Sequence, residues 1–481
     1  MIDLIFNLRD DKPQLVNSVF LIEEISQLPA GIFSDREMDY IQHQIETKKN
    51  FIILNYYYHW NYIVVSDKTS DLDIQCEELR NVGVKVAEHI KENQVDFINI
   101  VDNLSKELLT LSFIEGVSLT AYSFRKYITD NQKVKRFSRI NMYSKKVTLK
   151  HLEQLEAVVT GVFRARDMVN EPASYLTANK LADEAMRIGS DAGVSVQIYR
   201  KSEIQQMGMG GLLAVNKGST EQPTFTVMEY KPSKAVNKKP IVLVGKGVVY
   251  DSGGLSLKPS EYMDDMKCDM AGAAVVMNTI SIASKIELPL HIIALIPSTD
   301  NRLSAESYAP GDIITMHNGK TVEVMNTDAE GRLILADALS YSKQWSPELT
   351  LSIATLTGAA ERAIGSRAAV VMGNASDTVM SKLLNSANLT HERLAVFPFW
   401  DDYAEELKSD IADMKNIGSK FGGAITAGKF LEKFAHKPFI HIDIAGTAFY
   451  KKPHTYYTSG ATGFGVRLLV DFLANYSKSK K

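Results

Sequence analysis

The chain has 481 residues, which is more than one hydrophobic core usually supports, so the sequence predicts two domains. Its hydrophobic fraction of 45% and charged fraction of 23% are those of an ordinary globular protein. With 54 basic and 57 acidic residues, the overall charge gives no general attraction to nucleic acid or to an anionic membrane.

Two cysteines, Cys76 and Cys268, argue against a disulfide framework or a cysteine-rich zinc site and fit a reducing compartment. Charged residues at positions 9–11 interrupt the apolar N-terminus before it reaches the length of a signal-peptide core. No uninterrupted apolar run approaches the ~20 residues of a membrane span. We therefore predict a cytoplasmic protein with no membrane partner.

Residues 1–150 predict a smaller N-terminal α/β domain. Apolar runs at 51–65, 97–101 and 108–113 alternate with an amphipathic helix at roughly 72–91. The segment 125–150 then turns strongly basic. Its charged residues include Lys133, Lys135, Arg136, Arg139, Lys145 and Lys146, opposed by Asp130. We interpret this segment as an exposed hinge between the two domains.

Residues 151–481 predict a larger C-terminal domain in which strands and helices alternate. A helix over 152–169 ends just before Pro172, because the residue before proline disfavours the helical region. Candidate strands lie at 195–199, 224–230, 241–244, 292–296, 349–354 and 439–444, and helical patterns lie at 270–285, 333–341 and 424–434. Short apolar strands separated by helices predict an α/β fold with a mainly parallel central sheet flanked by helices.

Two short stretches concentrate the charged residues that suggest chemistry. The first, VGKGVVYDSGG, covers residues 244–254 and continues to Lys258 and Asp269, and the second, NTDAEGR, covers residues 326–332. Acidic residues beside glycines indicate hard divalent cations, because carboxylate oxygens suit such ions and glycine lets the backbone come close. Loops after the strands that end near residues 244, 354 and 444 should share one rim of the sheet, where open parallel sheets bind ligands.

The acidic residues also have structural interpretations, which the sequence leaves open. Asp251 fits a turn aspartate that hydrogen-bonds its own backbone, and Thr327-x-x-Glu330 matches a helix capping box. Capping and metal ligation are compatible. His391 and Glu392 begin like a zinc-protease motif, but the second histidine of that motif is absent.

Lys246 is flanked by glycines and lacks the spacing of a phosphate-binding loop. As a metal ligand it would have to be the neutral amine, because an ammonium has no lone pair. Two adjacent divalent cations could lower its pKa sufficiently from ~10.4. Four carboxylates would balance two such ions, which supports a binuclear site: Asp251, Asp269, Asp328 and Glu330.

The NTDAEGR string is identified as the signature of the leucine aminopeptidase family, also called cytosol aminopeptidases. Further matches follow in order: VNEPA at 169–173, MGMGG at 207–211, ATLTGA at 354–359, NIG at 416–418, GGA at 422–424 and DIAG at 443–446. The resemblance covers nearly all of residues 160–475. The first 115 residues resemble the family only weakly, up to the YSFRKY segment at 122–127.

The resemblance implies a metal-dependent hydrolase that releases N-terminal amino acids from peptides. One metal would be held by Lys246, Asp251, Asp269 and Glu330, and the other by Asp251, Asp328 and Glu330. The ions would be Zn²⁺ or Mn²⁺, with Mg²⁺ or Co²⁺ as alternatives, because carboxylate-rich sites accept several metals. A water or hydroxide bridging the ions would be the nucleophile.

The resemblance also implies roles for residues beside the metals. Arg332 would hold a bicarbonate that acts as general base, and Lys258 would polarise the substrate carbonyl and stabilise the oxyanion. The first side chain of the substrate would enter a pocket lined by Met266, Thr355, Gly358 and Ala445, with Ala448 as a further candidate. Leucine and other apolar residues fit this pocket, although such contacts discriminate only ~10- to 200-fold. A free amino group would bind the more weakly held metal, so acylated peptides should resist cleavage.

A homohexamer of two trimers and a role in peptide catabolism follow from the same resemblance. The chain departs from the family at Cys268, Ala271, Glu361 and Arg362, which bears on substrate preference more than on activity. Two other classes of function stay open for this sequence. The basic segment allows a DNA-binding regulator on the same scaffold, and paired metals beside lysine and arginine also serve phosphoryl transfer.

Overall fold

The computed structural model describes residues 4–11, 15–129 and 137–480, and the chain forms two compact units. The first comprises Met1–Phe163 with Lys452–Thr458, and the second comprises Arg164–Lys451 with Ser459–Lys481. The units divide inside one long helix, whereas the sequence predicts domains of 1–150 and 151–481. Those predicted boundaries stay a prediction.

The basic segment predicted as a hinge lies partly outside the described residues. The charged residues that fall there are Asp130, Lys133, Lys135 and Arg136. Of the remainder, Arg139 begins a strand, and the Nζ of Lys146 donates to the carbonyl of Leu104 at 2.6 Å. The hinge interpretation and the DNA-binding alternative therefore stay predictions.

Within its described residues, the first unit contains a six-stranded sheet with the order β1-β6-β5-β2-β4-β3. The strands are β1 Ile5–Leu8, β2 Ser18–Ile22, β3 Phe51–Asn55, β4 Trp60–Val65, β5 Phe97–Asp102 and β6 Arg139–Tyr143. The helices are α1 Asp35–Glu46, α2 Leu72–Glu92 and α3 Glu107–Thr120, followed by α4 Leu149–Asn170, in which the units divide. All neighbouring strands are parallel except the β3–β4 hairpin. All five residues of β2 are buried, as expected for a central parallel strand.

The second unit carries the remaining strands and helices. Its strands are β7 Ser195–Tyr199, β8 Thr224–Tyr230, β9 Ile241–Gly245, β10 Gly247–Asp251, β11 Ile292–Asn301, β12 Ile313–Thr315, β13 Thr321–Glu323, β14 Leu349–Ala354, β15 Ala369–Gly373, β16 Leu394–Val396, β17 Met414–Lys415, β18 Phe439–Asp443, β19 Phe449–Tyr450 and β20 Gly460–Ala461. Its helices are α5 Ala178–Ala192, α6 Lys201–Gln206, α7 Gly210–Asn216, α8 Ala271–Lys285, α9 Glu330–Ser342, α10 Gly358–Ile364, α11 Asp377–Thr390, α12 Asp402–Glu405, α13 Gly423–Glu432 and α14 Val466–Lys478.

The main sheet of this unit has the order β16-β15-β18-β14-β9-β11-β8-β7, and β10 also pairs with β11. Strands β18, β14, β9 and β11 are mutually parallel, whereas β8, β7 and β15 join antiparallel. Every residue of β9, β14 and β18 is buried, because helices cover both faces of the sheet centre. The predicted α/β fold with a mainly parallel central sheet is confirmed.

The three adjacent parallel strands β9, β14 and β18 end at one edge of the sheet. Lys246 follows β9, Thr355 follows β14, and Asp443 is the last residue of β18. Because carboxyl ends of parallel strands meet at the same edge, loops far apart in sequence come together there, as the sequence predicts. Of the helices in the described part of the chain, none is long and apolar enough to cross a membrane.

Candidate metal centre

Lys246 is almost completely buried directly after β9, with only 3% of its side chain exposed. Its Nζ lies 2.6 Å from Oδ2 of Asp269 and 2.8 Å from Oε1 of Glu330, and it donates to the carbonyl of Thr355 at 3.0 Å. Burial alone would lower the pKa of Lys246, but the negative charges around it outweigh burial and raise that pKa. Without metal, the ammonium therefore holds two of the predicted ligand carboxylates together.

Asp251 ends β10 next to an irregularity in the strand pairing. The register of β10 against β11 shifts between Val248 and Asp251, and such bulges re-aim side chains beside active sites. The backbone N–H of Gly253 donates to Oδ1 of Asp251 at 2.9 Å, so the turn interaction is present. The same carboxylate also forms an ion pair with Lys258, whose Nζ lies 2.8 Å from Oδ2. Asp251 thus serves the turn and faces the acidic cluster at once.

Glu330 opens α9, and Asp328 lies two residues before it. The possible capping box is not formed, because the hydroxyl of Thr327 donates to the carbonyl of Gly253 at 2.6 Å instead. Lys258 reaches this loop as well, with its Nζ 2.5 Å from Oδ1 of Asp328. A carboxylate at a helix N-terminus is favoured by the helix dipole.

The five predicted metal ligands and Lys258 therefore form one connected group. Carboxylate oxygens of Asp251, Asp328 and Glu330 lie within 4.8 Å of one another, and Asp269 joins through Lys246. With all four carboxylates ionised (−4), the two ammonium groups (+2) leave a net charge of −2 in a largely buried site. Buried charge of this kind is costly unless it is paired or coordinates metal.

The pKa shifts of the carboxylates and an unpaired carboxylate oxygen indicate that the cluster is suited to bind additional cations. Burial and the neighbouring carboxylate charges raise the pKa of Asp251 and of Asp269, and raise the pKa of Asp328 to about 7. For Glu330, burial would raise the pKa, but Lys246 and Lys258 outweigh it and lower that pKa. Oε2 of Glu330 is buried and has no hydrogen-bond partner within the described residues. An unpaired carboxylate oxygen among other carboxylates is the donor set that divalent cations prefer.

Arg332 is the third residue of α9, two residues after Glu330, and is 7% exposed. Its Nη1 donates to the carbonyl of Asn416 at 2.8 Å, while its Nε finds no partner among the residues that the structure describes. Burial lowers the pKa of Arg332 to about 10, although the charges of Glu330 and Asp443 oppose that shift. A buried guanidinium with an unused N–H is suited to binding an anion.

The predicted substrate-pocket residues follow the strand ends or precede a metal ligand. Thr355 donates from its hydroxyl to Oδ1 of Asp269 at 2.7 Å, which places it against the cluster. Met266 begins the 3₁₀ turn Met266–Met270 that carries Asp269. Gly358 begins α10, and Ala445 comes two residues after β18. That these four residues line one substrate pocket stays a prediction.

Two polar residues with central positions were missed by sequence reasoning. Asn301, the last residue of β11, donates from Nδ2 to Oδ1 of Asp251 at 2.9 Å and to the carbonyl of Thr327 at 3.0 Å. Asp443 accepts the backbone N–H of Leu356 at 3.0 Å and the hydroxyl of Thr357 at 2.7 Å. Asp443 was visible only as part of the DIAG string, and Asn301 gave no signal because its strand was predicted to end at residue 296.

Residues 163–470 match the family model described as the cytosol aminopeptidase family, catalytic domain. The chain belongs to this family. The predicted family and the predicted class of enzyme, an aminopeptidase-type hydrolase, are therefore confirmed. Together with the carboxylate cluster, the family supports a metal-dependent aminopeptidase.

Similar cytosol aminopeptidases come from several bacteria. A probable cytosol aminopeptidase of Chlorobaculum parvum is 51% identical over 316 residues, covering 65% of this chain and 62% of the relative. Another, of Chlorobium limicola, is 44% identical over 381 residues, covering 76% and 75%. The chain thus spans less than two thirds of the first relative and three quarters of the second.

A solved structure resembles the chain over almost its whole length. The bottromycin maturation enzyme BotP in complex with Mn matches with a TM-score of 0.84 and 25% identity, covering 96% of this chain and 100% of that one. The likeness supports the fold, and the Mn in that complex agrees with a divalent-metal site in this family.

Proposed function

We propose that the protein is a metal-dependent aminopeptidase that releases leucine and other apolar residues from the free N-terminus of peptides. The observation that carries this proposal is the buried group of Asp251, Asp328 and Glu330, whose oxygens lie within 4.8 Å of one another. In a chain of the cytosol aminopeptidase family, such a group is best explained as a metal centre.

Two divalent ions fit the ligands that the chain offers. Lys246, Asp251, Asp269 and Glu330 would hold one ion, and Asp251, Asp328 and Glu330 would hold the other. The ions would be Zn²⁺ or Mn²⁺, with Mg²⁺ or Co²⁺ as alternatives. When bound, they would supply Lewis acidity and lower the pKa of the water that attacks the peptide carbonyl. Lys246 would bind as the neutral amine and would give up its ion pairs with Asp269 and Glu330.

Lys258 is suited to stabilise negative charge on the substrate. Burial would lower its pKa, but Asp251, Glu330 and Asp328 outweigh burial and raise that pKa, so the side chain stays an ammonium. Its side chain is 15% exposed, which leaves it open to a substrate at the edge of the cluster. An ammonium aimed at the scissile carbonyl would stabilise the oxyanion, which is usually the largest catalytic contribution in acyl transfer.

Arg332 would hold bicarbonate, which would accept the proton of the attacking water. The proposal is supported by the buried guanidinium and by its Nε, which is unpartnered among the described residues. The bond from Nη1 to the carbonyl of Asn416 fixes the orientation of the guanidinium plane. An anion could therefore bind without a change in the backbone.

The substrate would place its first side chain among Met266, Thr355, Gly358 and Ala445. Its free amino group would face the cluster, which limits cleavage to one residue at a time. By the same family resemblance we propose a cytoplasmic homohexamer of two trimers acting in peptide catabolism, an assembly whose mass light scattering can measure. Nucleic acid and membranes are not proposed as partners.

Hydrolysis of leucine-p-nitroanilide tests the proposed function. Metal-stripped protein should be inactive, and added Zn²⁺ or Mn²⁺ should restore release of nitroaniline. Glu330→Ala should abolish turnover because it removes a shared ligand, and Lys258→Ala should lower kcat by about 100- to 1000-fold because an oxyanion donor is lost. N-acetyl-leucine-p-nitroanilide is the matched control and should not be cleaved. Equal cleavage of the acetylated substrate, or normal turnover by Glu330→Ala, would refute the proposal.

A further inference from the structure

Asn301 connects the two loops that carry the carboxylate cluster. It is fully buried at the end of β11, directly opposite Asp251 in the strand pairing. Its Nδ2 donates to Oδ1 of Asp251 at 2.9 Å and to the carbonyl of Thr327 at 3.0 Å. Asp251 and Asp328 are 77 positions apart in the numbering, yet one side-chain amide holds both of their loops.

We propose that Asn301 is a positioning residue for the metal centre. Its amide would fix the orientation of the Asp251 carboxylate relative to the peptide that joins Thr327 to Asp328, and would thereby set the affinity for divalent ions. This inference rests on the proposed function only in that it assumes a metal site at these carboxylates. It assigns a role to a residue that is not itself a ligand.

The orientation of the Asn301 amide is fixed by its neighbours. The reverse orientation would turn Oδ1 toward the carboxylate of Asp251 and the carbonyl of Thr327, both of which are acceptors. Oδ1 lies instead near Gly254, where an added Cβ would come within 2.9 Å of it. Gly254 has a φ of +62°, so both its conformation and the space beside Asn301 require glycine. The loop after β10 is therefore shaped around this amide.

The donors on Asp251 show why a neutral side chain suits this position. Oδ1 accepts from the backbone of Gly253 at 2.9 Å and from Asn301, while Oδ2 lies 2.8 Å from Lys258. Two uncharged donors hold one oxygen in place without adding positive charge that would compete with a metal ion. Groups that orient ligands in this way contribute strongly to metal affinity.

The carbonyl of Thr327 provides an internal comparison. It accepts from Asn301 and also from the hydroxyl of Tyr308 at 2.7 Å. Tyr308 is buried like Asn301 but donates to this loop alone, whereas Asn301 also reaches Asp251. Loss of either donor should loosen the Thr327 carbonyl, but only loss of Asn301 should release Asp251.

Titration of metal-stripped protein with Mn²⁺ in a calorimeter tests the inference without any turnover. Asn301→Leu preserves most of the buried volume and removes the donor, so its Mn²⁺ affinity should fall by about 10- to 100-fold. Tyr308→Phe is the matched control, since it also removes a buried donor to Thr327, and its affinity should fall clearly less. The thermal midpoint of each metal-free variant reports whether loss of affinity merely follows loss of stability.

Wild-type Mn²⁺ affinity in Asn301→Leu would overturn the proposal, as would an equal loss in Tyr308→Phe. If Asn301→Leu fails to fold, Asn301→Ser takes its place, because serine fits the space and keeps one short donor. A smaller but measurable loss of affinity is then expected, and unchanged affinity would again overturn the proposal. Failure of the wild-type protein to bind Mn²⁺ would instead refute the proposed function.

Discussion

His441 is a buried titratable residue whose effect on stability can be predicted from its surroundings. It lies in β18 with no exposed surface, and its Nδ1 is 2.8 Å from the hydroxyl of Ser352. Burial, with a smaller contribution from the charge of Arg332, lowers the pKa of His441 from 6.5 to about 3. The imidazole is therefore neutral in the folded protein at every pH at which the enzyme would work.

We predict that this histidine destabilises the fold as the pH falls. The unfolded chain binds the proton near pH 6.5, but the folded chain does not until about pH 3. The contribution of His441 to the free energy of unfolding is fully present above pH 6.5. Below pH 6.5 it decreases by about 1.4 kcal/mol per pH unit until the folded-state pKa of about 3 is reached. Urea unfolding at pH 7, 6 and 5 of the wild type and of His441→Gln measures this effect. The free energy of unfolding of the wild type should decrease relative to that of His441→Gln as the pH falls. If the two free energies changed in parallel with pH, the prediction would be wrong.

At this residue scale, the sequence predicted which charged groups gather but not what holds them. Lys246, Asp251 and Glu330 stood out because charged residues beside glycines at element ends are unusual. Asn301 could not be found this way, because a single asparagine carries no spacing that indicates its partners. Side-chain hydrogen bonds between loops depend on the folded backbone, which the sequence predicts only in outline.

At the scale of elements, Asp443 joins the loops that follow β14 and β18. Its Oδ1 accepts the backbone N–H groups of Leu356 at 3.0 Å and of Ala445 at 3.2 Å. Its Oδ2 accepts the hydroxyl of Thr357 at 2.7 Å, and that hydroxyl also caps α10 by accepting from Ala360 at 3.1 Å. One buried carboxylate thus connects the two strand ends that carry the predicted substrate pocket.

Asp443→Ala should therefore loosen both loops together. Removal of the shared acceptor leaves the buried hydroxyl of Thr357 and the part-buried N–H groups of Leu356 and Ala445 without it, and we expect a loss of about 3 kcal/mol in the free energy of unfolding. Thr357→Val removes only the hydroxyl and should cost about 1 kcal/mol. Urea unfolding at saturating Mn²⁺ compares the two variants with the wild type. An Asp443→Ala protein as stable as Thr357→Val would show that the carboxylate does not act as the common acceptor.

The elements themselves were predictable where apolar and β-branched residues predominate. Strands β7, β8 and β14 have the predicted limits, and most of their residues are apolar or β-branched. Strand β11 continues five residues past its predicted end, because residues 297–299 and Asn301, most of them polar, still pair with β8 or β10. Strand β10 was missed, since it begins with glycine and ends in the acidic turn.

For the whole molecule, the predicted metal ligands all belong to one of the two compact units. Lys246, Asp251, Asp269, Asp328 and Glu330 lie between residues 164 and 451, which form most of the second unit. Among the described residues of both units, Asp251, Asp328 and Glu330 form the one cluster of acidic, histidine or cysteine side chains suited to a metal ion. Any stabilisation by metal should therefore act on the second unit and leave the unfolding of the first unit unchanged.

Removal of metal should accordingly lower the thermal stability of one unit. An ion that binds only the folded state stabilises it by about 2.7 kcal/mol at a free concentration 100 times its dissociation constant. We predict that chelation lowers the unfolding midpoint of the second unit and that Mn²⁺ restores it. Differential scanning calorimetry measures this, and Glu330→Gln should respond far less because a shared ligand is lost. Where the units unfold in separate transitions, the first serves as an internal control. A midpoint that stays constant while mass spectrometry records loss of the metal would contradict the prediction.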